Sequence, residues 1–138
     1  MLRRIHHVGI VVRSLEEGYR FYRDTLGLPL IKEATVQDQG VRAALLLAGE
    51  SEIELLEPID PNGGVAKFLE KRGEGLHHVG YRVANCQEAL DAMLAAGATA
   101  IDKAPRPGSR GTTVAFIHPK GSFGTLIELV QENPGSGH

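Results

Sequence analysis

The chain has 138 residues, of which 42% are hydrophobic and 23% are charged, and its formal net charge is −2. These values are typical of one globular domain with its own core. The absence of a long basic stripe argues against a nucleic-acid partner, and no apolar run approaches the roughly 18 residues of a membrane span. A single cysteine, Cys86, and an N-terminus without an apolar leader favour a reduced, cytoplasmic compartment.

The first half of the chain predicts a strand, a helix and three further strands. Residues 5–12 form a short, β-branched apolar run that is typical of a buried strand. Ser14 is a candidate N-cap for a helix over about 15–26, and Glu17 completes a capping box. The three strands that follow are predicted at 28–36, 41–47 and 52–59.

The second half repeats this order after a turn-rich break at 60–64 and a short helix at about 65–72. Asn85 and Glu88 provide the same capping pattern before a helix of about 86–96. The predicted strands are 76–83, 98–102, 112–117 and 125–131, with a loop at 105–111.

This order predicts a single α+β domain over residues 1–138. It contains two βαβββ modules, about 4–59 and 75–132, which a helical segment at about 64–73 connects. Residues 133–138 are expected to form a disordered tail. Short turns between successive strands favour a mixed sheet with helices on one face, and two such half-sheets are expected to curl around a cleft.

Two histidines and two glutamates occupy matching places in the two halves. Residues 5–12 (IHHVGIVV) match residues 76–83 (LHHVGYRV), and residues 53–56 (IELL) match residues 127–130 (IELV). Because side chains alternate along a strand, the second histidine of each pair and each glutamate lie opposite the apolar residues that face the helices. These four residues are His7, Glu54, His78 and Glu128.

Two imidazoles and two carboxylates suit a divalent metal ion. A lone strand histidine is more often a hydrogen-bonded core or rim residue, and a lone glutamate more often lies at an exposed edge. Burial of two unpaired carboxylates is costly, however, whereas two carboxylates and a divalent cation sum to zero charge. A glycine follows each histidine at the second position, Gly9 and Gly80, and leaves room for an ion. The pattern therefore predicts a metal cleft shared by the two modules.

Several motifs, in order, carry a family resemblance: 6–12 (HHVGIVV), 21–27 (FYRDTLG), 52–58 (EIELLEP), 65–69 (VAKFL), 75–79 (GLHHV), 116–120 (FIHPK) and 126–129 (LIEL). With these, the chain resembles the vicinal oxygen chelate superfamily, which includes glyoxalase I, extradiol dioxygenases, and fosfomycin-resistance and bleomycin-binding proteins. Within it, the chain is most similar to the methylmalonyl-CoA epimerases. The resemblance covers about residues 4–132 and implies a glyoxalase-like fold.

The resemblance also implies a mechanism and its residues. The metal ligands would be His7, Glu54, His78 and Glu128, with Co²⁺ as the expected ion and Zn²⁺, Mn²⁺ or Ni²⁺ as alternatives. The reaction would interconvert (2R)- and (2S)-methylmalonyl-CoA through a metal-stabilised enolate, with Glu128 as one acid/base group. The partner would be a small acyl-CoA substrate, and the family suggests a homodimer.

The chain departs from the family pattern at the second acid/base group. Some epimerases have a glutamate where this chain has Ala43. The opposite-face proton donor would then be a metal-bound water, which we expect first, or Glu54 shifted off the metal, or His118. The family often has glutamine in place of Glu54. Lys120 and Arg110 are either solvated charges or contacts of CoA phosphates.

Three other functions remain open at this point. A glyoxalase I-type lactoylglutathione lyase would use the same ligands, and extradiol cleavage would need iron with two histidines and one carboxylate. A metal-free binding protein of the bleomycin-binding type is the alternative from a different class, but it has no need for four matched ligands.

Overall fold

A computed structural model describes residues 2–134 of the chain. Within this range it has eight strands and three α-helices: β1 (Leu2–Val11), α1 (Leu15–Tyr19), β2 (Leu30–Val36), β3 (Val41–Ala48), β4 (Ser51–Pro58), α2 (Gly64–Arg72), β5 (Gly75–Val83), α3 (Cys86–Ala95), β6 (Arg106–Pro107), β7 (Thr113–Ile117) and β8 (Leu126–Gln131). This order confirms the predicted α+β fold with paired βαβββ modules, and α2 follows the first of them in the chain.

Both predicted N-caps are present. The Ser14 side chain accepts a hydrogen bond from the Glu17 backbone N–H, and the Asn85 side chain accepts one from Glu88. Each bond satisfies one of the backbone donors that a helix leaves unpaired at its start, which explains where α1 and α3 begin.

The first helix changes geometry after its first turns. Instead of one α-helix over 15–26, the chain continues from α1 as a π-helix over Arg20–Thr25. The Leu26 backbone N–H donates to the Phe21 carbonyl, five residues earlier, and the Thr25 hydroxyl donates to the Arg20 carbonyl. This wider turn is typical of π-helical geometry, and apolar spacing alone does not predict it.

Residues 7–77 form one compact unit, the N-terminal unit. Its strand order is β2-β3-β4-β1, in which β1 is parallel to β4 and the other neighbours are antiparallel. Helix α1 packs on one face, with Val12, Leu15, Tyr19, Ala44, Leu46 and Leu55 buried there. On the other face, Val11, Val41, Ala43 and Leu56 pack with Val65, Phe68 and Leu69 of α2.

Residues 2–6 and 78–134 belong to a second compact unit, the C-terminal unit. Its strand order is β1-β5-β8-β7-β6, so β1 contributes residues to both units, and β5 is parallel to β8. Helix α3 packs on one face, with Val83, Cys86, Ala89, Leu90, Ala115, Ile117 and Leu129 buried there. The strands of each unit thus form parallel and antiparallel pairs, as predicted for a mixed sheet.

Residues 98–102, where a strand is expected, do not form a strand with continuous β-pairing. Only an isolated bridge joins Ala100 to Ile117, and the short strand β6 lies within the predicted loop 105–111. The Asp102 side chain accepts the Phe116 backbone N–H, 2.8 Å away, while the Phe116 carbonyl accepts from Ile101. A side-chain acceptor thus replaces the backbone acceptor that a regular strand would supply.

The helices and the C-terminal end of the described residues bear on the two remaining expectations. No helix within residues 2–134 is long and apolar enough to cross a membrane. The expected disordered tail, 133–138, lies mostly outside the described residues. Within the described part, the Asn133 side chain donates to the Gly111 carbonyl, 2.8 Å away, and to the Thr113 hydroxyl, 3.0 Å away.

Phe123 has an unfavourable backbone. Its φ of 59° lies in the left-handed region and its side chain is fully exposed. This conformation costs a bulky residue about 1 kcal/mol or more, whereas asparagine adopts it more readily. We expect Phe123→Asn to raise the free energy of unfolding by about 0.5–1 kcal/mol in urea denaturation. The matched control is Phe21→Asn, because Phe21 lies in a helical segment and gains nothing from asparagine; equal effects of both substitutions would contradict this explanation.

Candidate functional site

In the N-terminal unit, His7 and Glu54 lie side by side on neighbouring parallel strands. The register of β1 and β4 pairs Gly9 with Glu54, so no side chain of β1 stands between the carboxylate and His7. The distance from His7 Nε2 to Glu54 Oε1 is 3.9 Å. His7 is buried, with only 4% of its surface exposed. This arrangement brings together the first two predicted ligands.

The C-terminal unit contains the same arrangement. The register of β5 and β8 pairs Gly80 with Glu128, and the distance from His78 Nε2 to Glu128 Oε1 is 3.4 Å. Both residues are buried. In each unit, therefore, a histidine, a glycine two residues later and a glutamate opposite that glycine occur on parallel neighbouring strands.

The glutamate of each histidine–glutamate pair lies on the predicted face of its strand, opposite the face that packs against α1 or α3. Leu55 is buried beneath α1, and Leu129 is buried beneath α3. Because neighbours in a strand point to opposite faces, Glu54 and Glu128 point away from these helices. The period-2 argument from the sequence is confirmed at both glutamates.

The spacing within each pair fits two ligands of one ion. Nitrogen and oxygen ligands lie about 2.0–2.2 Å from a divalent metal ion, so two of them can be at most about 4.2 Å apart. The 3.9 Å and 3.4 Å separations in the two pairs satisfy this limit. Imidazole nitrogens and carboxylate oxygens are also the donors that zinc, cobalt, manganese and nickel accept.

The surroundings of Glu54 are apolar along β3. The strand register pairs Leu45 with Glu54 and Ala43 with Leu56, and Ala43 is buried with Val11 and Val41. Ala43 therefore belongs to a hydrophobic wall on the strand next to Glu54.

Glu52 is a buried carboxylate that the sequence analysis missed. It is 1% exposed and precedes Glu54 by two residues on β4. Its register partner on β1 is His7. The same alternation that identified Glu54 places Glu52 on that face, so this signal was available in the sequence.

The surroundings of His78 include an aromatic ring and an arginine. The Phe116 ring lies edge-on to the His78 ring, with 6.2 Å between centroids, and Phe116 is the register partner of Glu128. The Arg106 guanidinium carbon lies 5.2 Å from the centroid of the same ring. Neither residue is a candidate from the sequence pattern, because Arg106 lies in a predicted loop and Phe116 is an apolar residue of a predicted strand.

The other notable histidines and the cysteine have local roles. His118 is exposed, and its Nδ1 accepts the Lys120 backbone N–H, 3.0 Å away, in the turn before β8. The His77 ring packs edge-on against Phe68, and His6 Nε2 lies 3.8 Å from a Glu132 oxygen. Burial raises the pKa of the Cys86 thiol to about 11, and the charges of Glu128 and Asp102 act in the same direction. This thiol is therefore no nucleophile at neutral pH.

Comparisons with known proteins show the family of the chain and several similar proteins. A family model described as the Glyoxalase/Bleomycin resistance protein/Dioxygenase superfamily matches residues 6–116. The chain is 39% identical to the uncharacterized protein YqjC of Bacillus subtilis over 94% of this chain and 93% of that protein. It is 37% identical to an ethylmalonyl-CoA/methylmalonyl-CoA epimerase of Cereibacter sphaeroides, over 95% of this chain and 99% of the relative.

Solved structures of epimerases have the same fold. The methylmalonyl-CoA epimerase of Mycobacterium tuberculosis superposes with a TM-score of 0.88 at 36% identity, covering 96% of this chain and 90% of that one. A variant of the Streptomyces coelicolor methylmalonyl-CoA epimerase, in complex with 2-nitronate-propionyl-CoA, gives a TM-score of 0.88 at 36% identity, covering 96% and 99%.

Proposed function

The chain belongs to the Glyoxalase/Bleomycin resistance protein/Dioxygenase superfamily, and from this premise we propose that it is a metal-dependent epimerase. Its substrates would be (2R)- and (2S)-methylmalonyl-CoA. The observation that supports this most is the duplicated arrangement of a histidine, a glycine and a register-paired glutamate in the two units. The named epimerases among its relatives and structural neighbours support the choice of reaction.

We propose that both pairs bind one divalent ion. His7 and Glu54 would supply two ligands, and His78 and Glu128 the other two. Two carboxylates balance the charge of one divalent cation, which makes it tolerable that His7, His78 and Glu128 are buried and Glu54 is partly buried. When bound, the ion would supply Lewis acidity that offsets negative charge developing on the thioester oxygen. Co²⁺ is the expected ion.

In this proposal, Glu128 carries the first proton transfer. The C–H bond at C2 of the substrate breaks, its proton forms an O–H bond on Glu128, and the electron pair is delocalised into the thioester carbonyl. A water molecule then donates a proton to the opposite face of C2, which inverts the centre and leaves hydroxide. Glu128 gives its proton to that hydroxide, which restores the carboxylate. Glu128 is suited to this role because it is buried, next to His78 and opposite Gly80, which has no side chain.

The opposite-face proton would come from water. Ala43 cannot donate a proton, and its neighbours Val11, Val41 and Leu56 are apolar. His118 uses Nδ1 to accept a backbone N–H in its turn and is exposed, which favours a structural role for it. A water donor predicts that every inversion exchanges the C2 hydrogen with solvent.

The nearest alternative is glyoxalase I-type chemistry on a glutathione adduct. A probable lactoylglutathione lyase of Vibrio cholerae is 28% identical to the chain over 93% of its length, which is lower than the identity to the Cereibacter epimerase. A homodimer and a cytoplasmic location are further parts of the proposal, suggested by the family and by the single cysteine.

Deuterium exchange tests the proposed reaction. We expect the cobalt-loaded protein to incorporate deuterium at C2 of methylmalonyl-CoA in D₂O, as followed by mass spectrometry, together with loss of chiral purity. Propionyl-CoA is the matched control substrate, since its C2 proton lacks the second activating carboxylate. Absence of exchange, with turnover of the methylglyoxal–glutathione adduct instead, would favour the lyase.

A further inference from the structure

Arg106 is held in a fixed position, and the Phe116 ring connects it to the C-terminal histidine–glutamate pair. Its Nε donates to Asp102 Oδ1, 3.1 Å away, and Asp102 itself is anchored because its other oxygen accepts the Phe116 backbone N–H. The guanidinium lies over the Phe116 ring, whose edge contacts His78. Carboxylate and ring together fix the plane of the guanidinium without using its outer edge.

The outer edge of this guanidinium is available to a ligand. Among residues 2–134, the only hydrogen-bond acceptor of the Arg106 side chain is Asp102, and it uses Nε. The two terminal NH₂ groups therefore have no acceptor in this part of the chain, and the side chain is 46% exposed. Two parallel N–H donors of this kind match the two oxygens of a carboxylate or a phosphate.

We propose that Arg106 is a specificity-determining residue that binds an anionic group of the acyl-CoA substrate through its terminal nitrogens. The inference rests on the proposed function. Phe116 connects the arginine to His78, so the anion would be bound on the side of the C-terminal histidine–glutamate pair. Both a CoA phosphate and the substrate carboxylate have the required chemistry.

The chain offers a closely matched control for this residue. Arg23 is 45% exposed, its Nε lies 2.9 Å from Asp24 Oδ1, and its guanidinium carbon lies 5.0 Å from the Tyr19 ring centroid. Arg23 thus has the same two types of partner as Arg106, a carboxylate and an aromatic ring, but it lies in the π-helical segment after α1. Arg23→Gln removes the same charge and the same type of contacts away from the candidate site.

Calorimetric binding to the cobalt-loaded full chain tests the proposal. Propionyl-CoA carries the phosphates without a free carboxylate, and methylmalonyl-pantetheine carries the carboxylate without phosphates. We expect Arg106→Gln to weaken at least one of them by roughly 10-fold or more, while Arg23→Gln leaves both within about 2-fold. The ligand that loses affinity identifies the group that Arg106 binds. Arg106→Lys should recover only part of the lost affinity, because lysine lacks the two parallel N–H donors of a guanidinium.

Two outcomes would overturn the inference, and they are distinguishable. If the unsubstituted chain binds both ligands and Arg106→Gln binds them as tightly as Arg23→Gln does, Arg106 has no role in recognition, but the proposed function stands. If the unsubstituted chain binds neither ligand, the proposed function fails and the inference fails with it. Circular dichroism of each variant verifies that it is folded.

Discussion

Glu128→Gln is expected to lower the rate of C2 proton exchange at least 100-fold. The substitution keeps the shape of the side chain and leaves an oxygen that can still bind a metal ion, but the amide cannot accept the proton. General acid/base groups contribute about 10²–10⁴-fold to a rate, so the loss should fall in this range. The measurement is deuterium incorporation into methylmalonyl-CoA at saturating Co²⁺.

Glu132→Gln is the control for this variant. Glu132 follows β8 and lies 3.1 Å from Arg82, but it is partly exposed and belongs to neither histidine–glutamate pair. The Glu132→Gln substitution removes the same charge from the same region as Glu128→Gln. Its rate of C2 proton exchange should stay within about 3-fold of the unsubstituted rate. Exchange in Glu128→Gln at the rate of the unsubstituted chain would remove Glu128 from the mechanism.

His7→Ala and His78→Ala are each expected to weaken Co²⁺ binding by at least 100-fold. Loss of a residue that only orients a ligand already costs about 10–100-fold in metal affinity, so loss of a ligand itself should cost at least the upper value. The two histidines lie in different units. We nevertheless expect similar losses of Co²⁺ affinity, because both histidines would bind the same ion. Titration of the Co²⁺ absorption spectrum measures the affinity.

His77→Ala is a matched control, one residue before His78. Its ring contacts Phe68 instead of the glutamate opposite Gly80. Cobalt affinity should therefore remain within a few-fold, although the variant loses an aromatic contact and some stability. An equal loss of affinity in His77→Ala and His78→Ala would show that the effect is structural, not loss of a ligand.

The sequence predicts which face each candidate ligand occupies, but not which strand lies next to it. Alternation alone places Glu54 opposite Leu55, and Glu128 opposite Leu129, and the buried clusters confirm both. The pairing of Gly9 with Glu54 depends on parallel strands that are distant in the chain. Local periodicity contains no information about such pairing, so the duplicated register is visible only in the structure.

Two predicted elements differ in the structure because a side chain there forms a hydrogen bond that the backbone would form in a regular strand or helix. Asp102 accepts the Phe116 N–H and interrupts the expected strand at 98–102, which moves β6 to Arg106. The Thr25 hydroxyl similarly bonds a backbone carbonyl where the predicted helix becomes a π-helix. Asp and Thr are known to compete with backbone hydrogen bonds, but whether they do so depends on tertiary neighbours.

The stoichiometry of cobalt binding tests the central claim most directly. If the two histidine–glutamate pairs form one centre, the chain binds one Co²⁺ ion, and either His7→Ala or His78→Ala removes that ion. If each pair were a separate site, the chain would bind two ions and each variant would retain one. Native mass spectrometry of the cobalt-loaded chain and both variants distinguishes these results. One ion in the unsubstituted chain and none in either variant is the prediction; two ions, or one ion that survives either substitution, would contradict it.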